Sequence, residues 1–170
     1  FKKISVLIPV YNEFHTIERC LERVLKADVG NLEMEVIISD NNSNDGTKEI
    51  LRKISDQRVK ILYRKENNGK GANIKNALKE ASGDLILFQD GDLEYSPNDY
   101  LALLEPFFLF NADVVYGSRL TRAKATAILG FPNYIGNILF TFFANFLFNK
   151  IFTDIATGSK VFKENIIKNL

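Results

Sequence analysis

The residues of this sequence best suited to chemistry are Asp90, Gly91 and Asp92, which follow the apolar run Leu85-Ile86-Leu87-Phe88 and Gln89. Two carboxylates separated by one small residue supply hard oxygen donors, the kind that Mg²⁺ or Mn²⁺ takes together with the oxygens of a diphosphate. The plain alternative is an acidic turn, because Asp and Gly favour turns in their own right. Placement directly after a buried strand weighs for the cation. Glu94, two residues further on, either adds an oxygen ligand or stays a solvated carboxylate.

Other polar motifs also interrupt apolar runs. Tyr11-Asn12-Glu13 follows Val10, Asp40-Asn41-Asn42-Ser43 follows Ser39, and Gly117-Ser118-Arg119 follows Tyr116. Asp40, nearest its strand end, is placed to accept hydrogen bonds from a base or ribose, while Asn44 or Asp45 suits the cap of the next helix. Lys70 sits in Asn67-Asn68-Gly69-Lys70-Gly71, which reads either as a turn or as a place where backbone and ammonium approach a phosphate. The segment is neither a dinucleotide fingerprint nor a P-loop: it lacks the third glycine of one and the Gly-Lys-Ser/Thr ending of the other. Arg119, Arg122 and Lys124 form a basic cluster. The fork of Arg119 suits bidentate phosphate contact, whereas Arg122 and Lys124 either join it or belong to a solvated loop. His15, the sole histidine, reads as a surface or capping residue.

These motifs need elements to hold them. Residues 4–10, 36–39, 59–63, 85–88 and 114–116 are short, β-branched and apolar, as buried strands are. Between them, residues 16–26, 48–54, 72–81 and 100–110 carry apolar side chains at helical spacing; Ile17, Cys20, Leu21, Val24 and Leu25 share one face. Such alternation predicts an α/β domain with a mostly parallel sheet, in which the carboxyl ends of the strands share one edge and ligands bind there. Residues 134–152 are the most apolar stretch, yet Asn137, Thr141, Asn145 and Asn149 recur every fourth residue. Three asparagines in the span, with Lys150, argue against a transmembrane helix; a buried core helix and an interfacial helix resting on a membrane or lipid chain both remain open.

Composition bounds the answer. A chain of 170 residues with 46% hydrophobic content is expected to be a single domain, 1–170, with one core. Its 22 basic and 21 acidic residues give a formal charge of +1, so no global field selects nucleic acid, and phosphate recognition must be local. A single cysteine, Cys20, supports neither an internal disulfide nor a thiolate metal site, which fits a reducing, cytoplasmic setting. The start at Phe1, without a methionine or signal pattern, reads as a segment excised from a longer protein.

Taken together, Pro9-Val10-Tyr11-Asn12-Glu13, the stretches 40–47 and 89–95, Gly117-Ser118-Arg119, Gly136-Asn137 and Thr153-Asp154-Ile155-Ala156-Thr157-Gly158 resemble glycosyltransferase family 2. The resemblance covers nearly the whole chain and is greatest to the polyprenyl-phosphate sugar transferase branch, of which dolichol-phosphate mannosyltransferases are typical. It implies a GT-A fold, Rossmann-like, and inverting, metal-dependent transfer from a nucleotide diphosphate-sugar to a polyprenyl phosphate at the cytoplasmic face of a membrane. On that resemblance Pro9, Tyr11, Glu13 and Asp40 surround the base and ribose. Asp90, Asp92 and Glu94 hold Mg²⁺ or Mn²⁺, and Arg119 meets a donor or acceptor phosphate. Asn41 stands where relatives carry aspartate, and Ser159 where an aromatic residue is common. Relatives continue past a segment like 157–162, so the domain is expected to extend beyond this chain. Two rivals stand beside this reading: a family 2 enzyme acting on a saccharide hydroxyl, with Asp154 as its base, and a non-catalytic nucleotide-sugar-binding or membrane scaffold. A processive polysaccharide synthase is disfavoured, because its Gln-x-x-Arg-Trp signature needs a tryptophan and the chain has none.

Overall fold

The computed structural model describes residues 1–118 and 131–169. Among them six strands, β1 Lys3–Val10, β2 Glu33–Asp40, β3 Val59–Tyr63, β4 Leu85–Phe88, β5 Val114–Tyr116 and β6 Lys160–Lys163, form one sheet in the order β3-β2-β1-β4-β6-β5. The pairs β1–β2, β1–β4 and β2–β3 are parallel. β6 runs antiparallel between β4 and β5, so β1 to β5 all point the same way. Their carboxyl ends therefore share one edge, as the alternation of elements predicts. β6 was not expected: its four residues, Lys-Val-Phe-Lys, carry two apolar positions and no turn signal, and only its tertiary pairing makes it a strand.

Both faces of the sheet are covered, which is why the strands read as unbroken apolar runs. On one face Ile4, Val6, Ile8 and Val10 pack with Ile17, Cys20, Leu21 and Val24 of α1 (Ile17–Leu25) and with Leu104 and Phe107 of α4 (Tyr100–Leu109). On the other, Leu7, Ile37 and Ile86 meet Ala77 of α3 (Gly69–Glu80). Truncating one of these fully buried side chains to alanine costs about 2–5 kcal/mol.

Local signals set the helix starts. The Glu13 carbonyl accepts from the N–H groups of Thr16 and Ile17 and so begins α1. α2 is shorter than its apolar spacing suggests, Thr47–Leu51. Its cap residue is Gly46 at φ +102°, where an added Cβ would come within 2.8 Å of the Phe14 ring. Asp45 rather than Asn44 serves that end, its carboxylate accepting the Thr47 N–H at 3.0 Å and the Thr47 hydroxyl at 2.6 Å.

The most apolar stretch forms α5 (Phe131–Phe148), and among the described residues it turns its polar stripe inward and its aromatic side chains outward. Asn137 and Thr141 are buried, while Phe140, Phe142, Phe143, Phe146, Leu147 and Phe148 are exposed. The polar stripe faces inward and binds the returning chain: Asn137 donates to Asp154, Ile155 N–H donates to Thr141, and Asn145 exchanges two hydrogen bonds with the Phe152 backbone. Among the described residues no helix is long and apolar enough to cross a membrane. α6 (Glu164–Ile167) follows β6 directly.

Candidate active site

In the strand order the chain winds one way through β1, β2 and β3 and the other way through β4, so a crevice opens between the carboxyl ends of β1 and β4. A cavity of about 300 Å³ lies there, lined by Pro9, Tyr11 and Glu13 from β1 and its loop, Asn41 after β2, Lys70 and Asn73 of α3, and Asp90, Gly91 and Asp92 after β4. A larger groove of about 720 Å³ between Phe1, residues 29–32 and α4 lies near the opposite edge of the sheet, away from these groups.

Each wall is held by hydrogen bonds that the sequence alone did not disclose. Asn73, fully buried, donates to the carbonyls of Ser39 at 2.6 Å and Val10 at 3.4 Å, tying α3 to the ends of β1 and β2. Asn41 donates to Asn67 Oδ1 at 2.6 Å and its own oxygen accepts from Asn68 N–H, which joins the turn after β2 to the turn before α3. Asp40 lies beneath this wall and not on it. It is fully buried, and both carboxylate oxygens face the Ser43 N–H at 3.2–3.3 Å. In this arrangement Asp40 shapes the turn.

The carboxylate turn is equally well braced. Buried Gln89 donates to the Asp90 carbonyl at 2.9 Å and accepts from the Tyr100 hydroxyl at 2.9 Å. Asp92 Oδ1 accepts the Glu94 N–H at 2.9 Å, closing the turn, and Leu93 between them sits at φ +67°, a region side chains seldom adopt. Glu13 packs against Gly91, and its carboxylate accepts from Thr16. Tyr11 is 46% exposed and lines the cavity.

Charge in the crevice is arranged around Asp90. Lys70 Nζ lies 2.6 Å from Asp90 Oδ1, so the expected phosphate-seeking ammonium here neutralises a carboxylate. Asp92 is exposed. Glu94 is not part of the cavity wall, and among the described residues no three His, Cys, Asp or Glu side chains converge to hold a metal. Two carboxylates beside an open cavity nevertheless fit Mg²⁺ or Mn²⁺, which are commonly bound by one or two carboxylates with substrate phosphates and water completing the shell.

Behind Asp90 the chain of 157–160 closes in. A Cβ at Gly158 would lie 2.4 Å from Asp90 Oδ2 and 2.7 Å from the Tyr95 ring, so only glycine fits. Its N–H donates to the Tyr95 hydroxyl at 2.7 Å. Two residues on, Lys160 stands opposite Phe88 and Tyr116 in the sheet, its ammonium 4.8 Å from the centroid of the Tyr116 ring. Burial pushes the Lys160 pKa down, and Lys70 adds to this; Asp154 and Asp90 act in the opposite sense. Asp154 itself is buried and accepts from Asn137 at 2.8 Å. His15 is exposed, in edge contact with Phe14. Arg119, Arg122 and Lys124 lie outside the described residues.

The fold is that of GT-A glycosyltransferases. Mannosyltransferase PcManGT from Pyrobaculum calidifontis, solved with GDP-Man and Mn²⁺, matches with a TM-score of 0.68 and 20% identity over 99% of this chain and 47% of that one. The chain belongs to glycosyl transferase family 2, whose family model matches residues 5–170. A dolichol-phosphate mannosyltransferase of Pyrococcus furiosus is 33% identical over 121 residues, 71% of this chain and 34% of that protein. A UDP-N-acetylglucosamine–dolichyl-phosphate N-acetylglucosaminyltransferase of Methanococcus voltae is 25% identical over an alignment of 190 residues, 99% of this chain and 72% of the relative. The chain thus spans about a third of the Pyrococcus protein's length.

Proposed function

We propose that this chain is the donor-binding part of an inverting transferase that moves a sugar from a nucleotide diphosphate-sugar to a polyprenyl phosphate. The observation that carries the reading is the meeting of Asp90, Asp92 and Lys70 in one cavity at the β1/β4 crevice, with Pro9, Tyr11 and Asn41 on its walls. Pro9 and the Tyr11 ring suit the flat base. Asp90 and Asp92 suit the divalent cation, which when bound supplies charge to stabilise the departing diphosphate. Lys70 is close enough to exchange its carboxylate partner for a phosphate oxygen.

A phosphate acceptor asks little of a base. Its second pKa is near ~6, so at neutral pH the attacking oxygen is already largely anionic, whereas a saccharide hydroxyl must lose a proton. Asp154, the candidate base for that second substrate class, is buried and engaged by Asn137, which favours the phosphate. In the transfer the phosphate oxygen forms a bond to the anomeric carbon from the face opposite the diphosphate. The carbon–oxygen bond to the nucleotide breaks, and its electron pair leaves with the nucleoside diphosphate. The side chains orient and shield; Arg119, next after Ser118, is assigned to a phosphate by its fork. The names of the Pyrococcus and Methanococcus relatives, both dolichol-phosphate enzymes, support a lipid phosphate. The exposed aromatic face of α5 supports work at a membrane surface, where such a lipid resides.

Incubating full-length protein with membranes and a panel of nucleotide-sugars, then analysing products by mass spectrometry, tests this. The expected product is a glycosyl polyprenyl phosphate. A water-soluble glycan would instead identify a saccharide acceptor, and no product under any condition would leave a binding scaffold.

A further inference from the structure

Lys160 belongs to none of the motifs that define the cavity, yet its surroundings are those of a ligand-binding cation. It lies on β6, the strand inserted between β4 and β5, directly opposite Phe88, two residues before Asp90, and opposite Tyr116, two residues before Ser118. Phe162 on the same strand packs against the Phe88 and Tyr116 rings, so Lys160 emerges where that aromatic floor ends and the polar edge begins. The charged groups acting on it are Asp154, Lys70 and Asp90. Among the described residues it has no hydrogen-bond acceptor and no ion-pair partner; its recorded contact is the Tyr116 ring at 4.8 Å.

The other end of β6 shows what a structural lysine looks like in this sheet. Lys163 is bound by the Asn111 carbonyl at 3.2 Å, Asn111 Oδ1 at 2.9 Å and Asp113 at 2.7 Å. A partly buried ammonium normally acquires such partners, because leaving one without them is costly. Asp90 does not fill the role, since its recorded ion-pair partner is Lys70.

We propose that Lys160, which stands on β6 beside the cavity and not on its wall, is a phosphate-binding residue that holds an anionic phosphate oxygen at the crevice. This rests on the donor-site reading above and adds to it a residue and a second direction of approach. A divalent cation held by Asp90 would leave Lys70 free for an anion, so that Lys70 of α3 and Lys160 of β6 would both be available to a phosphate. Two sources share the chemistry: the diphosphate of the donor and the monophosphate of the lipid acceptor.

The test uses full-length protein and two probes in calorimetric titration: inorganic pyrophosphate with Mn²⁺ for the donor side, and farnesyl phosphate in micelles for the acceptor side. Lys160→Met is expected to weaken one probe by about tenfold or more, the loss of a charge-assisted contact, while Lys160→Arg stays close to the parent. Loss of pyrophosphate assigns Lys160 to the donor, and loss of farnesyl phosphate alone assigns it to the acceptor. Lys163→Met controls for net charge; an equal loss there would overturn the proposal, as would unchanged affinity for both probes in Lys160→Met. If Lys160→Met lowers Tm, Lys160→Gln against Lys160→Arg gives the same comparison. Parent protein that binds neither probe would bring down the donor-site reading itself, a different outcome from a parent that binds and a variant that binds equally.

Discussion

The two edges of one sheet treat charge in opposite ways. At the edge where β1 and β4 begin, Glu35 accepts from Lys3, Ser5 and Ser82, and Asp84 accepts from the backbone N–H groups of Lys2 and Lys3. Burial alone would raise the Glu35 pKa, but those hydrogen bonds overcome it and hold the group at about 2. At the edge where the same strands end, Asp92 is exposed, Asp90 is paired with the exposed Lys70, and Lys160 has an aromatic ring instead of a carboxylate. A closed network stabilises the fold. An open one leaves its charges available to a ligand, and the contrast separates stability from function within a single sheet.

The largest expected break comes at the open edge. Asp92→Asn keeps side-chain volume and removes charge, so transfer should fall by about 10²–10³-fold with Tm unchanged. Paired activity and thermal melts check this, and normal turnover in a folded variant would contradict it. Next is Arg119→Lys, which keeps charge but loses the planar fork. A lost charge-assisted contact of about 1.5–3 kcal/mol corresponds to roughly 10- to 150-fold in rate. Lipid transfer should suffer more than donor hydrolysis; if both fall together, Arg119 serves the donor, and if neither moves it serves no phosphate.

The closed edge should answer differently. Glu35→Gln is expected to cost about 1–3 kcal/mol of stability and to leave donor affinity unchanged, measured by denaturant titration beside calorimetry. Because the folded pKa of Glu35 is depressed, its contribution is complete above the ordinary carboxyl value of 4.5 and is lost as pH falls from there toward about 2. The parent should therefore lose its advantage over Glu35→Gln across that window, and a gap that stays constant would show that Glu35 is not the titrating group. The smallest effect is assigned to Asp40→Ala, a few-fold loss of nucleotide affinity transmitted through the Ser43 turn. A loss as large as that of Asp92→Asn would mean that Asp40 touches the base itself.

Much of the open edge was legible because chemistry there interrupts a strong pattern. Apolar runs located β1, β3, β4 and β5 and the end of β2, and each motif that follows a parallel strand had to reach the same edge. The rest depends on tertiary pairing. β6 is two apolar residues between two lysines, and nothing local says that it inserts antiparallel beside β4. Lys160 was hidden with it. The period of Asn137, Thr141 and Asn145 was visible in α5, but whether the polar or the apolar face turned inward depended on residues 152–155, which supply the hydrogen-bond partners. Glu35 drew no notice for the same reason, since Lys3 and Ser82 come to it only when β1, β2 and β4 assemble.

The central claim is that the open edge at the β1/β4 crevice binds a nucleotide diphosphate through a divalent cation. Its most direct test is calorimetric titration of UDP and GDP into full-length protein, in Mn²⁺ and in EDTA, for the parent, Asp92→Asn and Glu35→Gln. One of the two nucleotides should bind parent and Glu35→Gln alike in Mn²⁺, and lose at least about tenfold in affinity both in EDTA and in Asp92→Asn. Equal affinity in Mn²⁺ and EDTA, or in Asp92→Asn and the parent, would contradict the account.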